Sequence, residues 1–445
     1  MQISQILRTF AQSEIRIPMF SRIFNKVHLF TISIFGILVS ACSRDDLNVR
    51  QSTLDPKGPV AKMQFDVFMD TVWLVLVLFA IVGGLLVYAV IRFRARAGED
   101  TRPKVEEGHG NPLVEIGLIT ASIGALVFIA IPTLSAIWYT DDVPAEAIPA
   151  SKLSAWYQHL DENGKENYPK ALAGDVLEID VIGKQWWFRF EYPQLGLTAD
   201  AKHTVPNEIV IPRGKAVRLN LRSEDVIHSF WLPKIAGKVD LMPGRKNKMW
   251  IQADQVGHYY GQCAEFCGDS HAYMLFRCNV VEPEEFAKWV KAQKAEAAPV
   301  EPNSKAEKGK ALFAAKTCAM CHNISGHFGA GNFAPDLTHV ASRRSLAGAW
   351  LDNRDRKAQL ALEVQTKNTE STTPVDPAVL KANLIKWIGS SGTSHGIDGQ
   401  PTKDVKPGNR MHYYKMFNVV SLNESHQQFT AEELDCLAEY LLTLK

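Results

Sequence analysis

Residues 263–274 read Cys263-Ala-Glu-Phe-Cys267-Gly-Asp-Ser-His271-Ala-Tyr-Met274, which places four candidate metal ligands within a dozen residues. Thiolate, imidazole and thioether groups are the donors that copper prefers in proteins. A second imidazole, His228, lies upstream in Val226-Ile227-His228-Ser229-Phe230-Trp231. A single blue-copper centre uses one Cys, two His and a weak Met. The additional thiolate therefore predicts two metal ions that share bridging sulfur atoms.

Two simpler interpretations of these residues remain open. Cys263 and Cys267 could form a disulfide, which is common in an oxidising compartment. Together with two imidazoles they could instead form a Cys2His2 zinc site. Neither interpretation requires Met274 or Glu265, whereas a copper site uses the whole ordered set.

Length and composition limit the class of protein. A chain of 445 residues suggests about three domains, and a net charge of +1 gives no bulk electrostatic reason to bind nucleic acid. The cysteines do not form a disulfide framework, because most of them lie in recognisable chemical motifs. Cys278 lies in an apolar run and Cys436 in a predicted helix, so we expect both to be buried as small apolar side chains.

The amino-terminal residues 1–41 have the features of an export signal. Arg22 and Lys26 precede an apolar core, and Val39-Ser40-Ala41-Cys42 follows it. This ending resembles a bacterial lipobox, which would make Cys42 the lipidated first residue of the mature protein. An ordinary signal peptide and an uncleaved membrane helix are the alternatives. Met19 is an alternative start of the chain.

Two further apolar runs, 67–91 and 113–139, are each long enough to cross a bilayer, which takes about 20 residues. The connecting loop, 92–112, carries Arg92, Arg94, Arg96, Arg102 and Lys104. Such basic loops stay in the cytoplasm, so the hairpin places segments 42–66 and 140–172 on the outer face of the membrane. This orientation agrees with an export signal.

Residues 173–286 have the pattern of a β-domain. Leu177, Ile179 and Val181 alternate with acidic residues, and a similar alternation begins at Val217. Several short strands separated by Pro and Gly turns predict a sandwich or barrel. We expect the metal ligands to lie on two of its loops.

The remaining residues predict a linker and a helical haem domain. Residues 291–308 are rich in Ala, Pro, Glu and Lys, a composition that favours a semi-flexible linker. We assign residues 287–305 to this linker. In domain 306–445, Cys318-Ala-Met-Cys321-His322 is the attachment motif of haem c, with His322 as an axial iron ligand. A redox-active Cys pair with an incidental His is the alternative. Thr430-Ala-Glu-Glu433 predicts a capping box at the start of the last helix.

These motifs, in this order, closely resemble the subunit II family of bacterial haem–copper cytochrome c oxidases, in the form fused to a cytochrome c. The resemblance implies a multidomain protein with a two-helix transmembrane hairpin, an all-β cupredoxin-like sandwich and an all-α class I cytochrome c domain. It also implies a binuclear copper centre, CuA. Its ligands would be the bridging thiolates of Cys263 and Cys267, the imidazoles of His228 and His271, the thioether of Met274 and the backbone carbonyl of Glu265.

The resemblance assigns roles to four further positions. Trp186, after Gly183-Lys184-Gln185, matches a tryptophan near the point of electron entry. The Glu265 side chain would help bind Mg²⁺ at the contact with subunit I. Met411, in Lys406-Pro-Gly-Asn-Arg-Met411, would be the second axial ligand of the haem iron, with His412, Met416 and other histidines as alternatives. Glu115 would lie near a proton-channel entry, or would simply be an acidic residue at the membrane interface.

The function implied is electron transfer from a cytochrome c-type or membrane-bound donor, through haem c and CuA, to the haem–copper centre of subunit I. That partner would reduce oxygen to water and translocate protons across the bacterial inner membrane, with the copper and haem domains on its periplasmic face. A CuA-containing subunit of a nitric oxide reductase is the alternative. Intact copper ligands argue against a quinol oxidase. Two polar insertions, 353–377 and 390–405, have no predicted role.

Overall fold

The structure is a computed structural model, and it describes residues 49–94, 110–144, 176–329, 331–390, 405–406, 411 and 429–445. The export signal, Cys42, most of the loop 92–112 and most of the insertion 390–405 lie outside the described residues. Expectations about them stay predictions.

Two long helices form the amino-terminal hairpin, α1 (Pro59–Arg92) and α2 (Pro112–Asp141), and both are long and apolar enough to cross a membrane. Helix α1 begins earlier than the predicted span, 67–91. Its first turns are more polar, with an ion pair between Lys62 and Asp66, so hydropathy alone marks only the apolar part of the helix. Asn111 caps α2 by accepting a hydrogen bond from the Leu113 N–H at 3.0 Å.

The outer ends of both helices are fastened to the β-domain. At the start of α1, the Lys57 N–H donates to the Lys234 carbonyl at 2.6 Å, and the Ala61 N–H donates to Ile235. At the end of α2, the Trp250 indole donates to the Tyr139 carbonyl at 2.8 Å. The two helix ends therefore lie against the same domain, as the predicted hairpin requires.

The β-domain is a sandwich of two five-stranded sheets. The strands are β1 (Leu177–Lys184), β2 (Trp187–Glu191), β3 (Val205–Pro206), β4 (Glu208–Pro212), β5 (Val217–Ser223), β6 (His228–Trp231), β7 (Lys238–Leu241), β8 (Asn247–Ile251), β9 (Gly257–Cys263) and β10 (Leu275–Val281). One sheet has the order β3-β2-β1-β5-β8 and the other β4-β10-β9-β6-β7. Strands β1 and β5 pair in parallel, as do β4 and β10; the other pairs are antiparallel.

The two sheets meet across a core of aromatic rings. Phe188 and Phe190 come from one sheet, Phe230 and Phe276 from the other, and all four are fully buried. The rings of Phe230 and Phe276 stack with centroids 4.4 Å apart, and Phe188 meets Phe276 edge-on at 5.1 Å. Burying each ring contributes roughly 1.5–3 kcal/mol, so this cluster is a large share of what holds the sheets together.

The carboxy-terminal domain is helical, as predicted. Its helices are α4 (Lys305–Ala315), α5 (Arg356–Thr366), α6 (Pro377–Ser390) and α7 (Ala431–Leu442), with 3-10 turns at Cys318–Met320 and Val340–Ser342 and a small ribbon of β11 (Ser345–Leu346) and β12 (Leu351–Asp352). The capping box between Thr430 and Glu433 is confirmed. Cys436 in α7 and Cys278 in β10 are both buried, as expected.

The segment predicted as a linker, 287–305, is more ordered than its composition suggests. Helix α3 (Pro283–Gln293) extends into it, because Phe286 and Val290 lie one turn apart and bury against the sandwich. Beyond the helix, the Ala297 N–H donates to the Ser325 carbonyl at 2.9 Å, and Ala297 and Val300 pack on the carboxy-terminal core. This segment therefore runs along the helical domain.

Helices α4 and α7 cross at Gly309, where a Cβ atom would lie only 2.0 Å from the Cys436 carbonyl oxygen. We expect Gly309→Ala to force the helices apart and to lower the stability of this domain by roughly 1–3 kcal/mol, a typical cost of overpacking. Thermal unfolding of the full-length protein, followed by circular dichroism, measures the loss. Gly389→Ala in α6 is the matched control, because there the added methyl group meets only the end of the Leu434 side chain. Equal melting temperatures for the two variants would contradict the close crossing of the helices.

Candidate metal centre and haem site

The candidate copper ligands come from two neighbouring strand ends. His228 is the first residue of β6, and Cys263 is the last residue of β9. These strands pair with Phe230 opposite Cys263, so the pairing brings the upstream imidazole to the cysteine-rich loop. That loop returns to β10 through the 3-10 turn His271–Tyr273, and the Cys263 N–H donates to the Met274 carbonyl at 2.9 Å.

The donor atoms converge on one buried point. The Sγ atoms of Cys263 and Cys267 are 3.8 Å apart, and one ring nitrogen of His228 lies within 4.8 Å of both. Cys267 Sγ is 3.5 Å from His271 Nδ1 and 3.8 Å from Met274 Sδ. The Glu265 carbonyl oxygen lies 3.2 Å from Cys263 Sγ, while the Glu265 side chain is exposed. All six positions singled out in the sequence are thus brought together.

The environment of His228 is that of a metal ligand. Its Nε2 atom lies 2.7 Å from Asp225 Oδ1, a contact that fixes the ring, as carboxylates do for metal-bound imidazoles. Its Nδ1 atom is buried and has no hydrogen-bond partner among the described residues, which a bound metal would supply. The ring packs on Gly183, where a Cβ atom would come within 2.7 Å of His228 Cδ2.

The simpler interpretations fit these atoms less well. Both cysteines are free thiols, and a sulfur separation of 3.8 Å is far longer than the 2.05 Å of a disulfide. A structural zinc ion binds four donors, whereas a thioether and a carbonyl group also lie against the thiols here. Six donors in total, two of them cysteine thiols, fit a pair of copper ions better.

The two thiols of the candidate copper site differ in how readily they lose a proton. A hydrogen bond from Cys267 lowers the pKa of Cys263 to about 4, against the opposing effect of burial, and His228 adds to the lowering. The same hydrogen bond, together with burial, raises the pKa of Cys267. A bound cation would stabilise the second negative charge, because metal ligation requires both thiols to be deprotonated.

Trp186 connects the copper loop to the helical domain. It lies in the turn between β1 and β2, is 7% exposed, and its indole donates to the Cys267 carbonyl at 2.9 Å. Gln185 donates to the same oxygen at 2.8 Å. From the helical domain, the buried Lys406 ammonium donates to the Trp186 carbonyl, and burial lowers the pKa of Lys406 to about 7. The helical domain therefore contacts the backbone of the residue predicted for electron entry.

A second aromatic contact joins the two domains near Trp186. The ring of Tyr273, next to Met274 in the copper loop, meets Trp350 edge-on with centroids 4.5 Å apart. The Leu275 N–H donates to the Gly348 carbonyl at 3.0 Å. The copper loop and the helical domain are thus in direct contact.

The haem attachment motif forms a compact turn after α4. Cys318 begins the 3-10 turn, and the His322 N–H donates to the Cys318 carbonyl at 3.0 Å. His322 Nδ1 donates to the Pro335 carbonyl at 2.7 Å, which orients the ring and leaves Nε2 available for iron. Burial lowers the pKa of His322, which favours the neutral imidazole that a metal needs. Cys318 and Cys321 are free, half-buried thiols.

Met411 is half-buried and packs against the core of the helical domain, as Cys318 also does. This placement is compatible with an axial ligand, and the assignment stays a prediction. His412 and Met416, the alternatives, lie outside the described residues. Glu115 is exposed in the first turn of α2, and nothing in the described structure distinguishes its two proposed roles.

Several residues of the site were not found from the sequence. Asp225 lies three positions before His228, a spacing that could have suggested a supporting carboxylate. The sequence indicates Lys406 only as part of the distal haem segment. The Pro335 carbonyl and the contact between Tyr273 and Trp350 depend on tertiary structure, and no local pattern indicates them.

Two family models match the chain. The model described as cytochrome c oxidase subunit II, periplasmic domain, matches residues 177–281. The model described as cytochrome c matches residues 306–385. These ranges contain the candidate copper ligands and the Cys318–His322 motif, respectively, and such domains imply CuA copper and haem as cofactors.

Curated relatives extend the match over most of the chain. Cytochrome c oxidase subunit 2 of Alkalihalophilus pseudofirmus is 30% identical over 74% of this chain and 85% of its own length. That of Bacillus sp. strain PS3 is 28% identical over 93% of this chain and 96% of its own length. A crystal structure of the periplasmic domain of cytochrome oxidase subunit II of Bradyrhizobium japonicum is 40% identical over 26% of this chain and 93% of its own, with a TM-score of 0.24.

The β-sandwich with its converging thiols, the cytochrome c domain and the apolar hairpin occur here in the order predicted from the resemblance. A relative that is 30% identical is matched over more than two thirds of its own length. The chain therefore belongs to the cytochrome c oxidase subunit II family and carries a fused cytochrome c domain.

Proposed function

We propose that this chain is the electron-transfer subunit of a terminal cytochrome c oxidase. It would receive electrons from a cytochrome c-type donor at a haem bound to Cys318, Cys321 and His322. It would deliver them through copper held at His228 and the 263–274 loop to the haem–copper centre of subunit I. Oxygen reduction and proton translocation would belong to that partner.

The observation that carries the proposal is the contact between the candidate copper loop and the cytochrome domain. The carbonyl of Cys267 accepts hydrogen bonds from Trp186 and Gln185, and the carbonyl of Trp186 accepts one from Lys406. Copper and haem, when bound, would supply one-electron redox chemistry. The protein groups described here hold the donor atoms in place, which keeps reorganisation small when charge moves.

The arrangement at the membrane supports the same function. Both ends of the apolar hairpin are fastened to the sandwich, so the copper domain would lie close to the outer surface of the bilayer. Membership of the family implies a partnership with subunit I. We retain two finer proposals, that the exposed Glu265 side chain shares a Mg²⁺ ion with that subunit and that Glu115 lies near its proton entry.

The copper assignment is tested with Cys263→Ser. The change removes one candidate bridging thiolate and keeps the size of the side chain. We expect the purified full-length variant to lose the two-copper hyperfine pattern in electron paramagnetic resonance and the associated near-infrared absorption, while it keeps its covalent haem. Metal analysis should show copper, not zinc, in the unmodified protein.

Cys278→Ala is the matched control for that experiment, because Cys278 is a fully buried thiol of the same domain outside the ligand set. It should keep the copper signals. A copper spectrum that survives in Cys263→Ser, or a Cys263–Cys267 disulfide found by mass spectrometry in the native protein, would contradict the assignment.

The haem assignment is tested with Met411→Leu. We expect loss of the charge-transfer absorption of methionine-ligated ferric haem and a lower reduction potential, since Met/His ligation raises the potential. Met320→Leu is the matched control, because Met320 lies within the attachment motif and its side chain is exposed. A Met411→Leu protein with unchanged spectrum and potential would move the axial ligand to His412 or Met416.

The reaction itself is tested on the complex copurified from membranes. We expect the complex to consume oxygen with reduced cytochrome c as donor. Cys263→Ser should slow turnover by at least about 100-fold. Groups that only orient metal ligands already cost up to about that factor in activity when they are mutated, and Cys263 is a candidate ligand itself. Nitric oxide consumption in place of oxygen consumption would assign the chain to a nitric oxide reductase. Isolation of the chain without a haem-bearing membrane partner would contradict a role as an oxidase subunit.

A further inference from the structure

The polar insertion 353–377, which has no role in the sequence analysis, lies between the two domains. It contains helix α5 and the loop that leads to α6, and its sequence is part of the cytochrome domain. Its contacts, however, reach outside that domain. Glu363 of α5 forms an ion pair at 2.9 Å with Arg50, ahead of the membrane helix.

At the far end of the insertion, Glu370 enters a buried ionic cluster. Its carboxylate pairs with the ammonium of Lys234 in the copper domain, and each side chain is at most 3% exposed. Lys234 also pairs with Asp55 at 2.9 Å, and Asp55 pairs with Lys57 at 2.9 Å. The two cations and two carboxylates balance in charge and belong to three separate parts of the chain.

Further hydrogen bonds hold the insertion in place along the copper domain. The backbone N–H of His258, near the start of β9, donates to the Glu370 carbonyl at 2.8 Å. The Thr369 hydroxyl donates to Glu370 Oε1 at 2.7 Å. At the other end, the buried Arg354 guanidinium donates to the Tyr260 hydroxyl at 2.9 Å. The insertion thus follows strand β9, which ends at Cys263.

We propose that residues 353–377 form a clasp that holds the cytochrome domain in one fixed position on the copper domain, with the Lys234–Glu370 pair as its central link. Lys234 and Glu370 are positioning residues: they touch neither metal site, and they act by keeping the haem domain against Trp186. The fixed docking is a structural claim. Its consequence for electron transfer rests on the proposed function.

The ion pair would fix the position of the cytochrome domain because other docked arrangements are less favourable in free energy. A buried ion pair adds little net stability over apolar packing, but removal of one partner leaves an uncompensated buried charge. Any shifted docking would separate Glu370 from Lys234, and a position that kept the Glu370 carboxylate buried would leave its charge uncompensated. The cluster therefore selects a single orientation, in the way that unpaired charges exclude wrong partners at specific interfaces. Intramolecular electron transfer would then need no search for a docked state.

The test uses the full-length protein, loaded with copper and haem in detergent, and three variants. Lys234→Met removes the positive charge of the central pair from the copper domain. Glu370→Gln removes its negative charge from the cytochrome domain. Lys288→Met is the matched control, because Lys288 pairs with Glu285 on the exposed face of helix α3. Retention of the copper and haem spectra shows that a variant is folded.

Two readouts separate docking from function. Amide hydrogen exchange at His258 reports the contact with Glu370 and needs no metal. Photoreduction of the haem, followed by the copper absorption, gives the intramolecular electron-transfer rate and its dependence on solvent viscosity. In the unmodified and control proteins we expect slow exchange at His258 and a rate that does not depend on viscosity.

In Lys234→Met we expect faster exchange at His258 and an electron-transfer rate that is about tenfold lower and falls with viscosity, because a docked fraction of about one tenth reduces the observed rate by that factor. Glu370→Gln should change both readouts in the same direction, and Lys234→Met/Glu370→Gln should partly restore them by removing both charges. Unchanged exchange in both single variants would overturn the clasp.

Faster exchange with an unchanged rate would overturn the positioning role and leave the proposed function intact. Absence of haem-to-copper transfer in the unmodified protein would count against the proposed function instead. Hydrogen exchange would still decide whether the clasp exists.

Discussion

The candidate copper site depends on the pairing of strands β6 and β9. Their ladder sets Phe230 opposite Cys263 and so fixes His228 beside a loop that lies far along the chain. The loop is then closed by the hydrogen bond between Cys263 and Met274. Donor atoms held by a sheet and a short loop cannot move far. A redox centre needs such a rigid set of donors if its charge is to change while its geometry stays the same. The aromatic core between the sheets adds to this rigidity by packing the two sheets together.

Much of this was predictable because the chemistry is local in sequence. The spacing within residues 263–274 and 318–322 brings the donors together within a few residues, so the residue types alone indicate a metal and a haem. The alternation at Leu177, Ile179 and Val181 predicted a half-buried strand, and β1 has that pattern at its start. The sandwich followed from this alternation and the hairpin from two long apolar runs, whereas the fold of the helical domain was implied by the resemblance to the family.

The supporting groups could not be predicted in this way, for a physical reason. The Lys234–Glu370 pair joins residues 136 positions apart, and single lysines and glutamates occur throughout any sequence. Only burial makes them informative, and burial is a property of the assembled domains. The linker shows the same limit: its composition resembles that of a solvated segment, yet Ala297 and Val300 find an apolar surface that exists only after the helical domain folds.

The cytochrome domain lies against the candidate copper site. The Trp186 indole donates to the Cys267 carbonyl, and Lys406 of the cytochrome domain donates to the Trp186 carbonyl. The covalently attached cytochrome domain is therefore held next to the candidate copper ligands. A donor held at high effective concentration needs little affinity, but it needs the correct orientation, because a wrongly docked domain on a short tether would block the site persistently. Buried charges meet that requirement better than apolar contacts, since apolar surfaces tolerate many orientations and an ion pair tolerates few.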